Sequence, residues 1–378
     1  MDTNHEERRL TALAARRFPL VARPGVIPRP LTIRIEQIES RAAQAQQGGP
    51  DAVTRAAEAL NLAALLASDA GDPERARALC WRQFNQLAAA TPFQASSAKL
   101  ALQPLINLAR LRTRGGEGRR AFQLLHTLFS AVTHRTTADL DGCTVDLSAL
   151  TTSDHDHLEI RTWLWQVLLV DGTRALVRAG DWNRALQYTE QLHGIGPDLN
   201  DGRQIAILAH AIEHRRNEAF RLLHASDVSD PWDETVARCL TIFCLRLEGR
   251  QTETETAQVA EQFLTLNEDP ALITAISRLG MTVLDLSQEP SGSCHSRILD
   301  RLLALGGSPG GTQAAREFLQ HPAAARLPTK GQQELAEVIR VAGLDAELLP
   351  EHLHHRLSAA VDVCAMALGG RHRSASMT

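Results

Sequence analysis

The chain has 378 residues, a formal net charge of −4, and 44% hydrophobic residues of which few are aromatic. The negative balance argues against general electrostatic binding to nucleic acid, which needs a basic footprint. No apolar run reaches membrane-spanning length, and the polar start MDTNHEERRL does not match a signal peptide, so a cytoplasmic protein without a membrane partner is expected.

Leu and Ala fill most apolar positions, Tyr188 is the only tyrosine, and no long alternating apolar–polar run occurs. An all-α fold is expected. Cys80, Cys143, Cys239, Cys244, Cys294 and Cys364 form no CxxC pair, which fits reduced thiols. Cys239 and Cys244 read as small core residues. Lys99 and Lys330 are the only lysines, a bias that a GC-rich bacterial genome explains.

In chain order, residues 1–46 stand apart as an N-terminal arm. A basic amphipathic stretch from Glu6 to Phe18 leads into a segment that Pro24, Pro28 and Pro30 bar from continuous helix. Its apolar residues Phe18, Leu20, Val21, Val26, Ile27, Leu31, Ile33 and Ile35 favour packing onto the rest of the chain.

Residues 47–306 carry a repeated phrase: an apolar helix, a glycine turn, and an alanine five residues past the glycine. The pairs are Gly71/Ala76, Gly116/Ala121 and Gly180/Ala185. The glycine ends the first helix in a left-handed conformation, and the alanine lets the second helix approach closely. Between repeats lies an insertion at 133–159, where ADL and CTVDL flank Asp141–Gly142 as a potential hairpin. Beyond it, GIGPDLNDGRQ joins two repeats, with Asp198 or Asp201 as a candidate helix cap. QEPSGS breaks the helices past Glu268, GGSPGG at 306–311 reads as a linker or turn, and 307–378 supply C-terminal capping helices and a frayed tail.

Ala185 and Ala219 are 34 residues apart, and Gly180 to Gly249 is close to two such steps. With a small residue in the second helix and glycine at the turn, this period resembles the tetratricopeptide repeat (TPR). It departs from that pattern in lacking the early tryptophan and the proline that ends the second helix. The resemblance implies a right-handed superhelical array of helix–turn–helix repeats whose first helices line a concave groove. Many bacterial transcription regulators carry similar arrays that sense peptides, behind an N-terminal helix-turn-helix. Residues 1–46 are too short and proline-rich for that domain, which disfavours direct binding to DNA.

Aligned on the glycines, Arg110 and Arg174 share one first-helix position, and Arg114 and Arg178 another. Asn61 and Gln204 share a third, Arg246 extends the line, and Arg203 sits in the first turn after GIGPDLND, where an anion would meet backbone N–H groups. If these side chains line the groove, their guanidinium forks suit carboxylates or phosphates. The alternative is a solvated basic surface.

Asp154-His155-Asp156-His157 contains metal-ligand types, but its spacing matches no known metal signature, and a polar lead into the next helix accounts for it more simply. The Arg316–His321 spacing is a coincidence expected among so many arginines and histidines. Trp163, Trp165, Trp182 and Trp232 read as core anchors, with Trp182 partly accessible at its turn.

The expected function is an intracellular regulator or adaptor that captures a peptide or protein partner with acidic groups, without a cofactor. The rival is an enzyme or accessory subunit using Asp141, Asp154, His155 and His157 of the insertion. A third reading is a homo-oligomeric scaffold.

Overall fold

The computed structural model describes residues 3–25, 29–287, 293–346 and 349–375. Val26, Ile27 and Pro28 of the arm, most of QEPSGS, and the last three residues of the tail lie outside the described residues.

In chain order the helices begin with α1 (Thr3–Arg17), α2 (Leu31–Gln46), α3 (Ala52–Asp69), α4 (Pro73–Ala88), α5 (Ala95–Arg114) and α6 (Gly118–His134). Strands β1 (Thr137–Leu140) and β2 (Cys143–Asp146) follow, then α7 (Asp154–Val167), a π-helical turn at Leu168–Gly172, and α8 (Thr173–Arg178). Next come α9 (Trp182–Gln191), α10 (Asp201–Ile212), α11 (Arg216–His224), α12 (Pro231–Leu247) and α13 (Glu253–Thr265). The last are α14 (Ile273–Leu286), α15 (Ser293–Gly307), α16 (Thr312–Leu319), α17 (Thr329–Val341) and α18 (Glu351–Ala375). The fold is all-α, with successive helices packed on one another in a way compatible with a helical repeat.

The repeated phrase is a repeated piece of geometry. Gly71, Gly116, Gly180 and Gly249 all have positive φ. At each turn the next N–H reaches back five residues: Asp72 to Ala67, Glu117 to Arg112, Asp181 to Leu176, Arg250 to Leu245. These are Schellman closures, which satisfy a carbonyl orphaned at the helix end. His214 takes the same place without glycine, at φ 56°, with Arg215 N–H bonded to the His210 carbonyl. The following helix then buries a small side chain at its fourth position: Ala76, Ala121, Ala185, Ala219 and Thr256 are all buried. A larger residue there would push the paired helices apart.

The chain forms two compact units. Their limits differ from a division into arm, repeats and caps, because each terminus is part of a unit's core. Residues 29–175 and 343–378 make one unit. In it α2 is a full helix packed on α3, so the arm is proline-broken only between α1 and α2. C-terminal α18 packs against α2, α3 and α4, with Arg356 held by Glu39 at 2.6 Å.

The 133–159 insertion belongs to the same unit. Its hairpin turns at Asp141–Gly142, both at positive φ, and buries Leu140, Val145, Leu147 and Leu150. Asp141 accepts from Arg112 and from Arg77, and Phe93 bonds to Leu150 and Thr152, so the insertion is tied to α4, α5 and the segment between them.

Residues 1–28 and 176–342 make the second unit. First helices touch first helices (α10 with α12, α12 with α14, α14 with α16), and second helices touch likewise (α13 with α15, α15 with α17). GGSPGG is a tight turn inside this unit: a Cβ on Gly311 would meet the Leu305 carbonyl oxygen at 2.0 Å. Helices α15 and α16 pack directly on each other.

Trp182, at the first position of α9, is buried rather than partly accessible; Trp163, Trp165 and Trp232 are half-buried. Burial pushes the Cys239 and Cys244 thiols up to about 12, which makes them inert core groups. Among the described residues, no helix is long and apolar enough to cross a membrane.

Candidate functional site

The first helices of the repeats present two different rows of polar side chains, one in each unit.

In the unit built on residues 29–175, the row is a chain of hydrogen bonds at the surface. Asn107 donates to Asn61 at 2.5 Å, joining α5 to α3. Gln103 donates to Asn107 at 3.1 Å. Arg110 grips the Asp171 carboxylate with two nitrogens, at 2.8 and 3.2 Å. Asp171 lies in the π-helical turn, where the widened winding offers a carboxylate to the neighbouring helix. Asn61, Asn107 and Asp171 are half-buried, and the Arg110 side chain is 50% exposed. Arg174 stands half-buried one turn beyond Asp171. The glycine alignment therefore brings Asn61, Arg110 and Arg174 onto neighbouring first helices of one unit.

The other unit buries its row. Gln204, at the repeat position equivalent to Asn61, is fully buried. Its amide receives the Leu20 N–H at 2.8 Å and donates to the Leu20 and Leu199 carbonyls at 2.7 Å each. Arg203 is also buried, donating to the Gly196 and Leu222 carbonyls and to Ser226. Arg246 is buried beside Thr252. Arg203, Gln204 and Arg246 thus do not stand on an open wall. Each ties loops and helices together, because a buried donor must find acceptors.

What covers Gln204 is the chain's own start. Helix α1 packs on α12 and α14, and Phe18 meets Phe243 edge to face, with ring centroids 6.4 Å apart. Arg17 binds Asp285 at 2.7 Å, Arg23 pairs with Asp201, and the Gly25 N–H reaches the Ala271 carbonyl at 3.1 Å. Asp201 is spent on Arg23; Asn200 precedes α10, and its side chain makes no capping bond.

Burial works against the Asp285 carboxylate, but His321 and Arg17 hold it below the usual range. The His321 ring accepts the Ala323 N–H on Nδ1, which assigns the proton to Nε2, facing Asp285 at 3.1 Å. His321 is therefore a strut between α14 and the turn after α16.

Beside α1 lies an open depression of about 700 Å³, lined by Arg8, Ala12, Ala15, Arg16, Arg178 and Gly180 among others. Arg8, Arg16 and Arg178 are exposed, and small side chains floor the space between them. Arg178 also lies within electrostatic reach of Glu317 on α16.

The insertion residues are occupied structurally. Asp154 pairs with Arg135, and His155 is exposed. Desolvation, with Arg135 and Arg161 nearby, lowers the His157 imidazole. Asp156 receives the Ala95 N–H at 2.9 Å and the hydroxyls of Ser153 and Thr152. Ser153 caps α7 by accepting the Asp156 N–H. Among the described residues, no three His, Cys, Asp or Glu side chains gather as a metal site would require.

No family model, curated protein or solved structure matches this chain.

Proposed function

We propose that the chain is a helical-repeat binding protein, an intracellular regulator or adaptor built as a right-handed TPR-like array. Its partner is a peptide or protein segment with acidic groups. The observation that carries the reading is the surface row Asn61–Asn107–Arg110–Asp171 with Arg174 beside it, on first helices whose spacing is fixed by repeated glycine closures and buried alanines. Arg110 is held by Asp171 in a two-pronged geometry, so a partner carboxylate would exchange for Asp171 on a fork already oriented. Arg8, Arg16 and Arg178 give the other unit a second cationic surface of the same preference.

The test is capture from native lysate by wild-type chain and by an Arg110→Glu/Arg174→Glu variant. An acidic partner retained by the wild type should be lost by the variant and weakened by raised salt. Equal capture by both would remove the row from the binding surface.

A further inference from the structure

The buried row of the second unit has the form of a peptide-recognition site with a peptide in it. Gln204 hydrogen-bonds the backbone of Leu20, taking the N–H and giving to the C=O. A side-chain amide that reads both groups of one extended residue does so whatever that residue's side chain is. Specificity then falls to the flanks, where the arm supplies Arg17, Phe18, Leu20 and Arg23. The face supplies Asp285 for Arg17, Phe243 for Phe18, and Asp201 for Arg23. The ion pairs run opposite to those proposed for the surface row: here the face supplies the carboxylates Asp285 and Asp201, and its occupant the guanidinium groups of Arg17 and Arg23.

The occupant is held unevenly. Phe18 and Leu20 are buried and the Arg17 side chain nearly so, whereas Arg23 keeps about half its side chain in solvent. Its bonds and ring contact reach Asp201 and Gln204 on α10, Phe243 on α12 and Asp285 on α14.

We propose that this face of α10, α12 and α14 is a recognition site for an extended partner segment of the pattern Arg-Phe-Pro-Leu-x-x-Arg, with residues 17–23 of the chain as its built-in competitor. A partner segment of that chemistry gains the same backbone clamp, aromatic contact and two ion pairs by displacing the arm. The inference rests on the chain being a binding protein, yet it concerns a different surface and a basic ligand, so loss of the Arg110/Arg174 effect would not touch it.

The experiment uses full-length chain and a fluorescent synthetic peptide spanning residues 14–25. Wild-type chain should bind weakly, since its own arm competes at high local concentration. Arg23→Glu, which weakens the arm but leaves the core, should bind at least tenfold more tightly, and Phe18→Ser more tightly still. Adding Gln204→Leu to Arg23→Glu should abolish that gain. Binding to Arg23→Glu no tighter than to wild type overturns the proposal.

Amide exchange of the wild-type chain gives a readout that needs no variant. The Leu20 N–H should exchange at least a hundredfold faster than those of Ala206 and Ile207 in α10, through local release of the arm. Equal protection would make the arm inseparable core and overturn the idea. Wild-type dimers that Gln204→Leu abolishes would overturn a separate partner, because a second copy would then be filling the site.

Discussion

Asn61 and Gln204 occupy the same place in the repeat, and their fates are opposite. In the unit around Asn61, the first helices show their polar side chains to solvent and bridge one another there. In the unit around Gln204, an N-terminal segment covers the equivalent surface and draws the same kind of side chain into the interior. The lesson is that a repeat fixes where a side chain points, while the neighbour it meets decides whether that direction is solvent or core. An amide serves both purposes, since it can donate and accept at once.

The sharpest way to break this comparison lies beside Gln204. A Cβ on Gly202 would sit 2.1 Å from the Gly194 carbonyl oxygen, part of the loop that crosses α10. Gly202→Ala should destabilise the chain by about 3 kcal/mol, since backbone must move. A loss below about 1 kcal/mol in urea unfolding would mean the loop does not seat as described.

The direct comparison comes next. Gln204→Leu leaves the Leu20 and Leu199 backbone groups without their buried partner and should cost about 2–3 kcal/mol. Asn61→Ala removes a half-exposed bond and should cost less than about 1 kcal/mol. Equal losses by denaturant titration would abolish the distinction between the two rows.

A smaller effect is on the pH dependence of stability. Burial lowers the His210 imidazole, with Arg215 and Arg221 adding to the shift against Glu218 and Glu190. Burial also lowers His295, helped by Arg326 and His321. Both residues lie in the unit containing Gln204. Below about 6.5 the unfolded chain takes up these protons before the folded one does. Stability present above that pH should therefore fall as acid is added, down to the folded-state values. His210→Gln should flatten the decline measured by melting temperature between pH 7 and about 5; an unchanged slope would place the titration elsewhere.

The smallest stability effect should come from Arg110→Ala. An ion pair whose guanidinium is half exposed contributes about 0–1 kcal/mol, so the fold should be nearly unchanged. A large loss would show Arg110 to be a structural residue and leave the surface row without its anchor.

The fold was largely legible from residues alone. Glycines with an alanine five positions later encode a left-handed helix end and a close helix pair, and both are short-range effects that one segment determines. The Asp141–Gly142 hairpin was legible for the same reason. His214 was the exception, as a histidine gives no hint that it will adopt positive φ. The site was legible only as alignment: Asn61, Arg110 and Arg174 share neighbouring helices of one surface, but Arg203, Gln204 and Arg246 carry the same residue chemistry into the interior.

What distinguishes those two groups is which residues pack over them, near in sequence for Arg203 and Arg246 and far for Gln204. Leu20 reaches Gln204, Arg17 reaches Asp285, and α18 closes on α2 and α3. Local sequence sets backbone angles and helix faces, whereas burial is a property of the whole packed unit. The sequence by itself determined the helices, their turns and the faces of the repeats. Only the tertiary structure decided which of those faces the chain's own ends would cover.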